Sequence, residues 1–307
     1  MSESLAYRTF CPPESLSGEL RFDEPMSRHT SWRTGGVADY MYFPRDKQDL
    51  MRLLRALPNT MPISWIGLGS NLLVRDGGVR GMVIHLSSGL KKIEILDGCR
   101  LYAESGVSSA NVAKTAASNK FIGVEFLASV PGSFGGALAM NAGAFGAETW
   151  QRVESIECVD RNGELMVLEN QDVSYGYRHV ELPEDCCILA ATLVLEKASV
   201  DYDGQQVIRD QRKRRNTSQP VQSANAGSVF RNPDGDYAAR LIERSGLKGC
   251  AIGHAVVSDV HANFIVNRER RANSRQIEEL IVHVQDVVEQ TTGIRLQPEV
   301  RIIGDDR

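Results

Sequence analysis

The run from Ser129 to Glu148, SVPGSFGGALAMNAGAFGAE, sets five glycines (Gly132, Gly135, Gly136, Gly143 and Gly146) among alanines, with Pro131 and Asn141 as its rigid and polar members. Glycine lets backbone N–H groups approach a ligand and takes φ > 0 at little steric cost, while a run so poor in side-chain bulk packs weakly alone. Something large should lie against it. A flat anionic cofactor is the natural candidate, because successive backbone amides in such turns form a nest for phosphate oxygens. A tight helix crossing lined by small residues is the other reading. A second stretch, Gly67-Leu-Gly-Ser-Asn71, favours the cofactor. It begins like a dinucleotide fingerprint, but Leu72 stands where the third glycine would be, and an apolar run follows where a helix should open. Strand, glycine turn, strand is the expected order, with the phosphates held by loops. Two such loops suit two sides of one extended cofactor such as FAD. On that reading, replacing Gly135 by a β-branched residue should lose flavin before it loses the fold.

Regular elements must hold these loops. Val37 to Phe43 alternates as a strand, and Asp46 can cap a helix whose Leu50, Leu53, Leu54 and Leu57 keep helical spacing until Pro58. Ile63 to Ile66 leads into the first glycine loop, and this α/β unit closes near Leu86. A second unit opens with a hairpin, Lys92 to Leu96 turning at Asp97-Gly98 into Leu101 to Ala103. Ser108 or Ser109 caps a helix, the glycine-rich run follows, and a second hairpin turns at Asn162-Gly163 between Ile156 to Val159 and Leu165 to Leu168. Strand Leu189 to Leu195 closes the unit. Arg209 to Asn216, RDQRKRRN, with Pro220 beyond it, marks a boundary and reads as a solvated helix face, although its arginines could reach a phosphate. The third unit holds Ala226 to Pro233, a helix from Asp236 to Gly246 and a strand from His261 to Asn267. A long helix follows, starting after Asn273 or Ser274 and ending at Gly293, with Ile277, Leu280, Ile281, Val284, Val287 and Val288 on one face. Gln297 to Ile303 is the last strand. Residues 1 to about 28 are poorly patterned and read as a leading arm draped over the surface.

Composition narrows the function. The 307 residues, 42% hydrophobic and 24% charged, describe an ordinary folded chain with room for two or three subdomains. A formal net charge of -4 supplies no field for nucleic acid. Six cysteines (Cys11, Cys99, Cys158, Cys186, Cys187 and Cys250) lack the spacing of a disulfide framework or a zinc site, and the six histidines show no ligand spacing either, so no metal is expected. No apolar window approaches a membrane span and no signal segment opens the chain, which places it in the cytoplasm. Walker, H-E-x-x-H and G-x-S-x-G motifs are absent.

Six motifs in one order carry a family resemblance: Gly67-Leu-Gly-Ser-Asn-Leu-Leu73, Pro131-Gly-Ser-Phe-Gly-Gly136 with Met140-Asn-Ala-Gly143, Tyr175-Gly-Tyr-Arg178, Ala226-Gly-Ser-Val-Phe230, His261-Ala-Asn-Phe-Ile-Val-Asn267 and Pro298-Glu299. From about His29 to Ile303 the chain resembles the UDP-N-acetylenolpyruvoylglucosamine reductase, or MurB, family. The resemblance implies an α+β fold with a two-subdomain FAD-binding region of the vanillyl-alcohol-oxidase (PCMH) type, over 1–198 with subdomains at about 29–89 and 90–198, and a C-terminal α+β substrate domain over 199–307. It also implies NADPH-dependent reduction of UDP-N-acetylglucosamine enolpyruvate to UDP-N-acetylmuramate, a step of peptidoglycan synthesis serving the cell wall, cell shape and cell division, by a monomer needing no protein partner. The short run from Arg178 to Ser228 leaves no room for a tyrosine-bearing insertion, which matches the family's shorter second type.

An enolpyruvyl ether is a conjugated carboxylate. Hydride added at its terminal methylene puts negative charge on the carbon beside the carboxylate, so the reaction needs a cation, hydrogen-bond donors and a proton. The resemblance assigns Arg178 and Glu299 to the enolate end and Ser228 to proton donation. It assigns noncovalent FAD to Gly67, Gly69, Ser70, Asn71, Ser129, Pro131, Gly132, Gly135, Gly136, Asn141 and Gly143, and substrate contacts to Tyr177, Arg215, Asn232 and Arg301. Singly, Arg178 reads as a surface cation, Ser228 as a turn residue and Glu299 as an edge-strand charge; their joint occurrence inside the motifs reverses that. Two features depart from the family pattern: Phe134 replaces a small β-branched residue, and His179-Val-Glu-Leu-Pro183 follows Arg178, where a serine and an aromatic are usual. Two rivals are a carbohydrate or alcohol oxidase on the same flavin fold and an inactive nucleotide-sugar binding protein. The span from Ser64 to Gly78 contains neither histidine nor cysteine, against the covalent flavin common in such oxidases, and retention of Arg178, Ser228 and Glu299 together argues against the inactive protein.

Overall fold

The structure, a computed structural model, describes residues 10–306. The chain folds into two compact units, the first formed by 10–22, Tyr40–Gly67 and Gly81–Lys213, the second by Asp23–Asp39, Leu68–Arg80 and 214–306.

The first unit has two cores. One lies beneath α1 (Lys47–Ala56), whose Asp46 side chain accepts from Asp49 N at its start, and whose Leu50, Leu53 and Leu54 are buried with Tyr40, Tyr42, Met82 and Ile84. Proline at position 58 prevents continuation, and the chain instead enters strand Ile63–Ile66, which pairs parallel with Met82–His85. In the sheet these strands join, the spatial order is Glu19–Pro25, Val37–Phe43, Val79–His85, Ile63–Ile66. Part of the expected leading arm is therefore a strand. Its only apolar residues, Leu20 and Phe22, are too few to give a period-2 signal, and Leu20 packs on this core while Phe22 stays exposed against the Tyr40 ring. Residues 1–9 of that arm lie outside the described residues.

The second core of this unit sits on a five-stranded antiparallel sheet ordered Leu165–Glu169, Val153–Val159, Cys187–Val194, Arg100–Glu104, Ile93–Leu96. Helix α2 (Ser109–Ser118) covers it, with Ser108 accepting from Asn111 N as the N-cap and Val112, Ala113, Ala116 and Ala117 buried. The glycine-rich run contains a short helix, α3 (Phe134–Ala139), with Phe134, Ala137 and Leu138 in the same core. Part of that run is thus a helix packed into the core, with Gly135 close against Ser105 and Gly136 exposed. The basic segment lies on α4 (Gly204–Ser218), where Arg212, Lys213 and Arg214 are exposed.

The second unit is built on α6 (Ser274–Thr292). Asn273 caps it by accepting from Gln276 N, and Gly293 at φ 76° ends it in the left-handed conformation. Ile277, Leu280, Ile281, Val284 and Val288 face a core shared with α5 (Ala238–Arg244), Trp32 and Leu73. Burying each such aliphatic side chain contributes about 1.5–3 kcal/mol. Strands Leu72–Val74 and Arg301–Ile303 pair parallel, and Ala251–Ile252, Ala255–Val257 and Ile265–Asn267 form a small antiparallel sheet. The expected strands from 261 and from 297 are shorter than their apolar patterns, because His261 to Phe264 forms a turn and Pro298 has no N–H to give a ladder.

Candidate active site

In the first unit the glycine loops and a row of serines share one neighbourhood. The segments from Ser105 to Ser109 and Gly132 to Gly135 run side by side, joined by Ser109 N→Gly132 O (3.1 Å), Phe134 N→Val107 O (2.7 Å) and Gly135 N→Ser105 O (2.9 Å). Gly67 abuts them, for a Cβ there would stand 2.1 Å from Ser133 Oγ and 3.8 Å from Ser87 Oγ. Ser133 is committed to capping α3 at Gly136 N (3.3 Å). The buried hydroxyls of Ser87, Ser109 and Ser129 have no hydrogen-bond partner in the protein. Leaving one such group unsatisfied costs about 1–3 kcal/mol, so three beside closely approachable backbone fit a polar, flat group such as a flavin dinucleotide. Sequence reading found Ser129 but missed Ser87, Ser109 and Ser133, since isolated serines carry no pattern.

The glycines differ in what they serve. A Cβ at Gly135 would lie 2.6 Å from Ser105 Cβ and 3.1 Å from its carbonyl oxygen, so a β-branched residue would strike the protein itself first, contrary to the expected loss of flavin before fold. Gly136 faces out, and its Cβ would meet only Ser133 Oγ at 3.5 Å.

Arg178 sits in a tight hairpin between Tyr175–Gly176 and His179–Val180, where the departure from the family pattern forms the return strand. Its φ is 55°, which costs an L residue about 1–2 kcal/mol. The guanidinium lies over the Tyr177 ring at 4.9 Å and donates to Gly143 O (3.0 Å) and, at longer range, to Asn141 O (3.4 Å). Asn141 is fully buried, and its amide runs to protein: Nδ2 donates to Glu148 Oε2 and Gly176 O (both 2.9 Å), and Oδ1 accepts from Trp150 N (3.0 Å). Arg178, Tyr177, Asn141 and Gly143 are therefore brought together, while Pro131 lies exposed at the start of the loop.

In the second unit Ser228 and Glu299 occupy neighbouring stretches. Gly227 takes φ 78° with open space around it, so glycine is required there by conformation, and its N–H donates to Asn225 Oδ1 (2.9 Å). Immediately after Ser228, Val229 O accepts from Glu299 N (2.7 Å), and Arg231 N donates to Gln297 O (2.9 Å). The Gly69–Asn71 loop touches the same stretch: Asn71 Nδ2 donates to Glu299 O (3.1 Å) and Asn71 O accepts from Arg301 N (3.1 Å). Behind the loop, Ser31 N donates to Gly69 O (3.0 Å), and Ser70 lies half-buried beside it. Arg301 opens the strand paired with Leu72. Asn232 Oδ1 accepts from Ala238 N (3.1 Å) and so serves the start of α5, and Arg215 Nε donates to Gln219 Oε1 (3.0 Å) on α4.

Residues 38–169 match the family model of an FAD binding domain, and residues 219–303 match that of the C-terminal domain of UDP-N-acetylenolpyruvoylglucosamine reductase. With the glycine and serine neighbourhood above, this defines a flavin-binding α+β protein. The UDP-N-acetylenolpyruvoylglucosamine reductase of Alkalilimnicola ehrlichii is 48% identical over 289 residues, covering 94% of this chain and 96% of that one. That of Methylococcus capsulatus is 47% identical, covering 92% of each. The crystal structure of the Thermus caldophilus enzyme superposes with a TM-score of 0.79 at 28% identity over 94% of this chain and 99% of that one. The chain belongs to the UDP-N-acetylenolpyruvoylglucosamine reductase (MurB) family.

Proposed function

We propose that this chain reduces UDP-N-acetylglucosamine enolpyruvate to UDP-N-acetylmuramate, using noncovalent FAD and NADPH as hydride donor. The observation that carries the reading is the pairing of Val229 with Glu299, which sets the Ser228 and Glu299 stretches side by side while Asn71 of a glycine loop holds the Glu299 carbonyl. Gly67, Gly69, Ser70, Asn71, Ser129, Pro131, Gly132, Gly135, Gly136, Asn141 and Gly143 form the cofactor loops, joined by Ser87 and Ser109, whose buried hydroxyls await a partner. FAD held there would supply hydride chemistry, with NADPH as the donor.

The protein's own part is charge and proton control. Hydride added to the methylene leaves an electron pair on the carbon beside the carboxylate. Arg178, fixed by Gly143 O and the Tyr177 ring, neutralises that charge, and Glu299, as the protonated acid, shares it by donating its O–H to the enolic oxygen. Ser228 gives its proton to that carbon and is recharged by water. Tyr177, Arg215, Asn232 and Arg301 contact the sugar nucleotide, with the substrate domain over 199–307 and the FAD region before it. The protein works as a cytoplasmic monomer. Among the described residues no helix is long and apolar enough to cross a membrane.

The test is the absorbance spectrum of the purified protein, followed by NADPH oxidation with and without the enolpyruvyl sugar nucleotide. Oxidation that needs this substrate and yields the lactyl ether supports the assignment. A colourless protein, or NADPH oxidation indifferent to the substrate, refutes it.

A further inference from the structure

We infer that Asn263 is a positioning residue that sets Ser228 for proton donation, an inference resting on the assignment of Ser228 as the proton donor. Asn263 is 4% exposed and lies in the turn before strand Ile265–Asn267. Its Oδ1 accepts from Phe230 N (2.9 Å) and its Nδ2 donates to Phe230 O (2.8 Å). Its backbone carbonyl accepts from Val229 N (2.9 Å). One residue thus supplies three hydrogen bonds to the two residues that follow Ser228.

The arrangement substitutes for a missing strand. Val229 and Phe230 belong to no regular strand, and their other neighbour is the Glu299 stretch, through Val229 O and the bridge of Phe230 with Pro298. Pro298 has no N–H to offer, so on that side the backbone is held at fewer points than a full ladder would give. A side-chain amide has the donor and acceptor of a peptide group, and Asn263 completes the pairing from the opposite side. Before Ser228 the chain is anchored at the buried Ala226, but Gly227 itself, at φ 78°, has no packing neighbour where a Cβ would stand. The hydroxyl position therefore also depends on the backbone that follows it, which Asn263 fixes. A proton donor displaced by about 1 Å can lose on the order of a hundredfold in rate, so this geometry should be felt in turnover more than in binding.

The experiment is a double-mutant cycle on the flavin-loaded enzyme, with Asn263→Ala, Ser228→Ala and the pair. Asn263→Ala alone should slow the substrate half-reaction at least tenfold, through kcat rather than KM, with flavin reduction by NADPH at the parent rate. The solvent deuterium isotope effect on the substrate step should rise, and amide exchange at Val229 to Arg231 should quicken even without flavin. In the Ser228→Ala background the same substitution should change the rate less than threefold. Asn263→Asp, which keeps the acceptor for Phe230 N but loses the donor, serves if the alanine variant does not fold, and the same non-additivity is expected. A full additive loss in the Ser228→Ala background, or equal slowing of both half-reactions, overturns the inference alone. Ser228→Ala at the parent rate overturns the proton-donor assignment as well.

Discussion

Gly136→Ala separates the space a cofactor needs from the space the fold needs. Gly136 is exposed on α3, and a Cβ there meets nothing nearer than Ser133 Oγ at 3.5 Å, an ordinary van der Waals contact. The substitution should leave the flavin-free fold intact and can stabilise it by up to about 1 kcal/mol, the helix preference of alanine over glycine. With FAD lying against this surface, the added methyl enters occupied volume. Overpacking of that kind costs about 1–3 kcal/mol, which at 1.4 kcal/mol per tenfold raises the Kd for FAD roughly 5- to 150-fold. Gly135→Ala is the control: its Cβ would stand 2.6 Å from Ser105 Cβ, so it should lower the melting temperature without flavin present. The assay is titration of apoprotein by flavin fluorescence, paired with thermal melts of the flavin-free variants. A Gly136→Ala protein with the parent's Kd would show that the cofactor does not rest on this helix surface, and a melt depressed as far as that of Gly135→Ala would refute the packing argument.

Ser228→Ala should keep flavin binding and flavin reduction by NADPH but lose most substrate reduction; Ser228→Cys should recover part, because a thiol of ordinary pKa about 8.5 is also a proton donor, and solvent deuterium should enter the new lactyl centre. Arg178→Ala and Glu299→Ala should each depress the substrate half-reaction far more than the NADPH half-reaction in stopped-flow measurements; equal slowing would move these residues to the flavin. Asp49 gives a pH prediction. Burial pushes its carboxyl up, but donors from Ser17 N (2.8 Å), Arg45 N (3.0 Å), Tyr42 OH (2.7 Å) and Ser17 Oγ (3.2 Å) outweigh this and hold it below the usual carboxylate range. A carboxyl lower in the folded than in the unfolded state contributes stability above an unfolded pKa of about 3.9 and loses it as pH falls through the folded value. Asp49→Asn should therefore lower the melting temperature at pH 7 and flatten its decline below about pH 4; an unchanged acid limb would refute the assignment.

Elements that declare themselves by local chemistry were legible. Asp46, Ser108 and Asn273 cap the helices they precede, and Gly98 and Gly163 take positive φ at the two hairpin turns read from Asp-Gly and Asn-Gly. The order strand, glycine turn, strand around Gly67 was also legible, because Leu72-Leu-Val74 reads as an apolar strand wherever it pairs. What escaped depends on distant partners. Glu19–Pro25 is a strand because a sheet is beside it, and Ser87 matters because Gly67 abuts it from 20 positions away in the chain. The catalytic candidates were reachable only through family motifs: no spacing rule links Ser228 with Glu299, which meet through Val229 O.

The asparagines show why a polar residue in a glycine-rich loop is an ambiguous signal. Asn141 and Asn71 read naturally as ligand contacts, yet Asn141 joins Glu148, Gly176 and Trp150, and Asn71 holds the Glu299 carbonyl. Asn263 and Asn267 behave alike, the latter bonding Trp32 O (2.8 Å) and Ala272 N (2.7 Å). A loop that must bring backbone close to a ligand cannot also lie in a strand ladder, so its peptide groups lack partners on one side. The asparagine amide carries a donor and an acceptor on a short stem and can supply those partners from a neighbouring segment. Glycine then gives the loop its approach and asparagine gives it its fixity. In the Gly67–Asn71 and Asn141–Gly143 stretches the two residue types divide these tasks, whether or not the asparagine itself would touch a ligand.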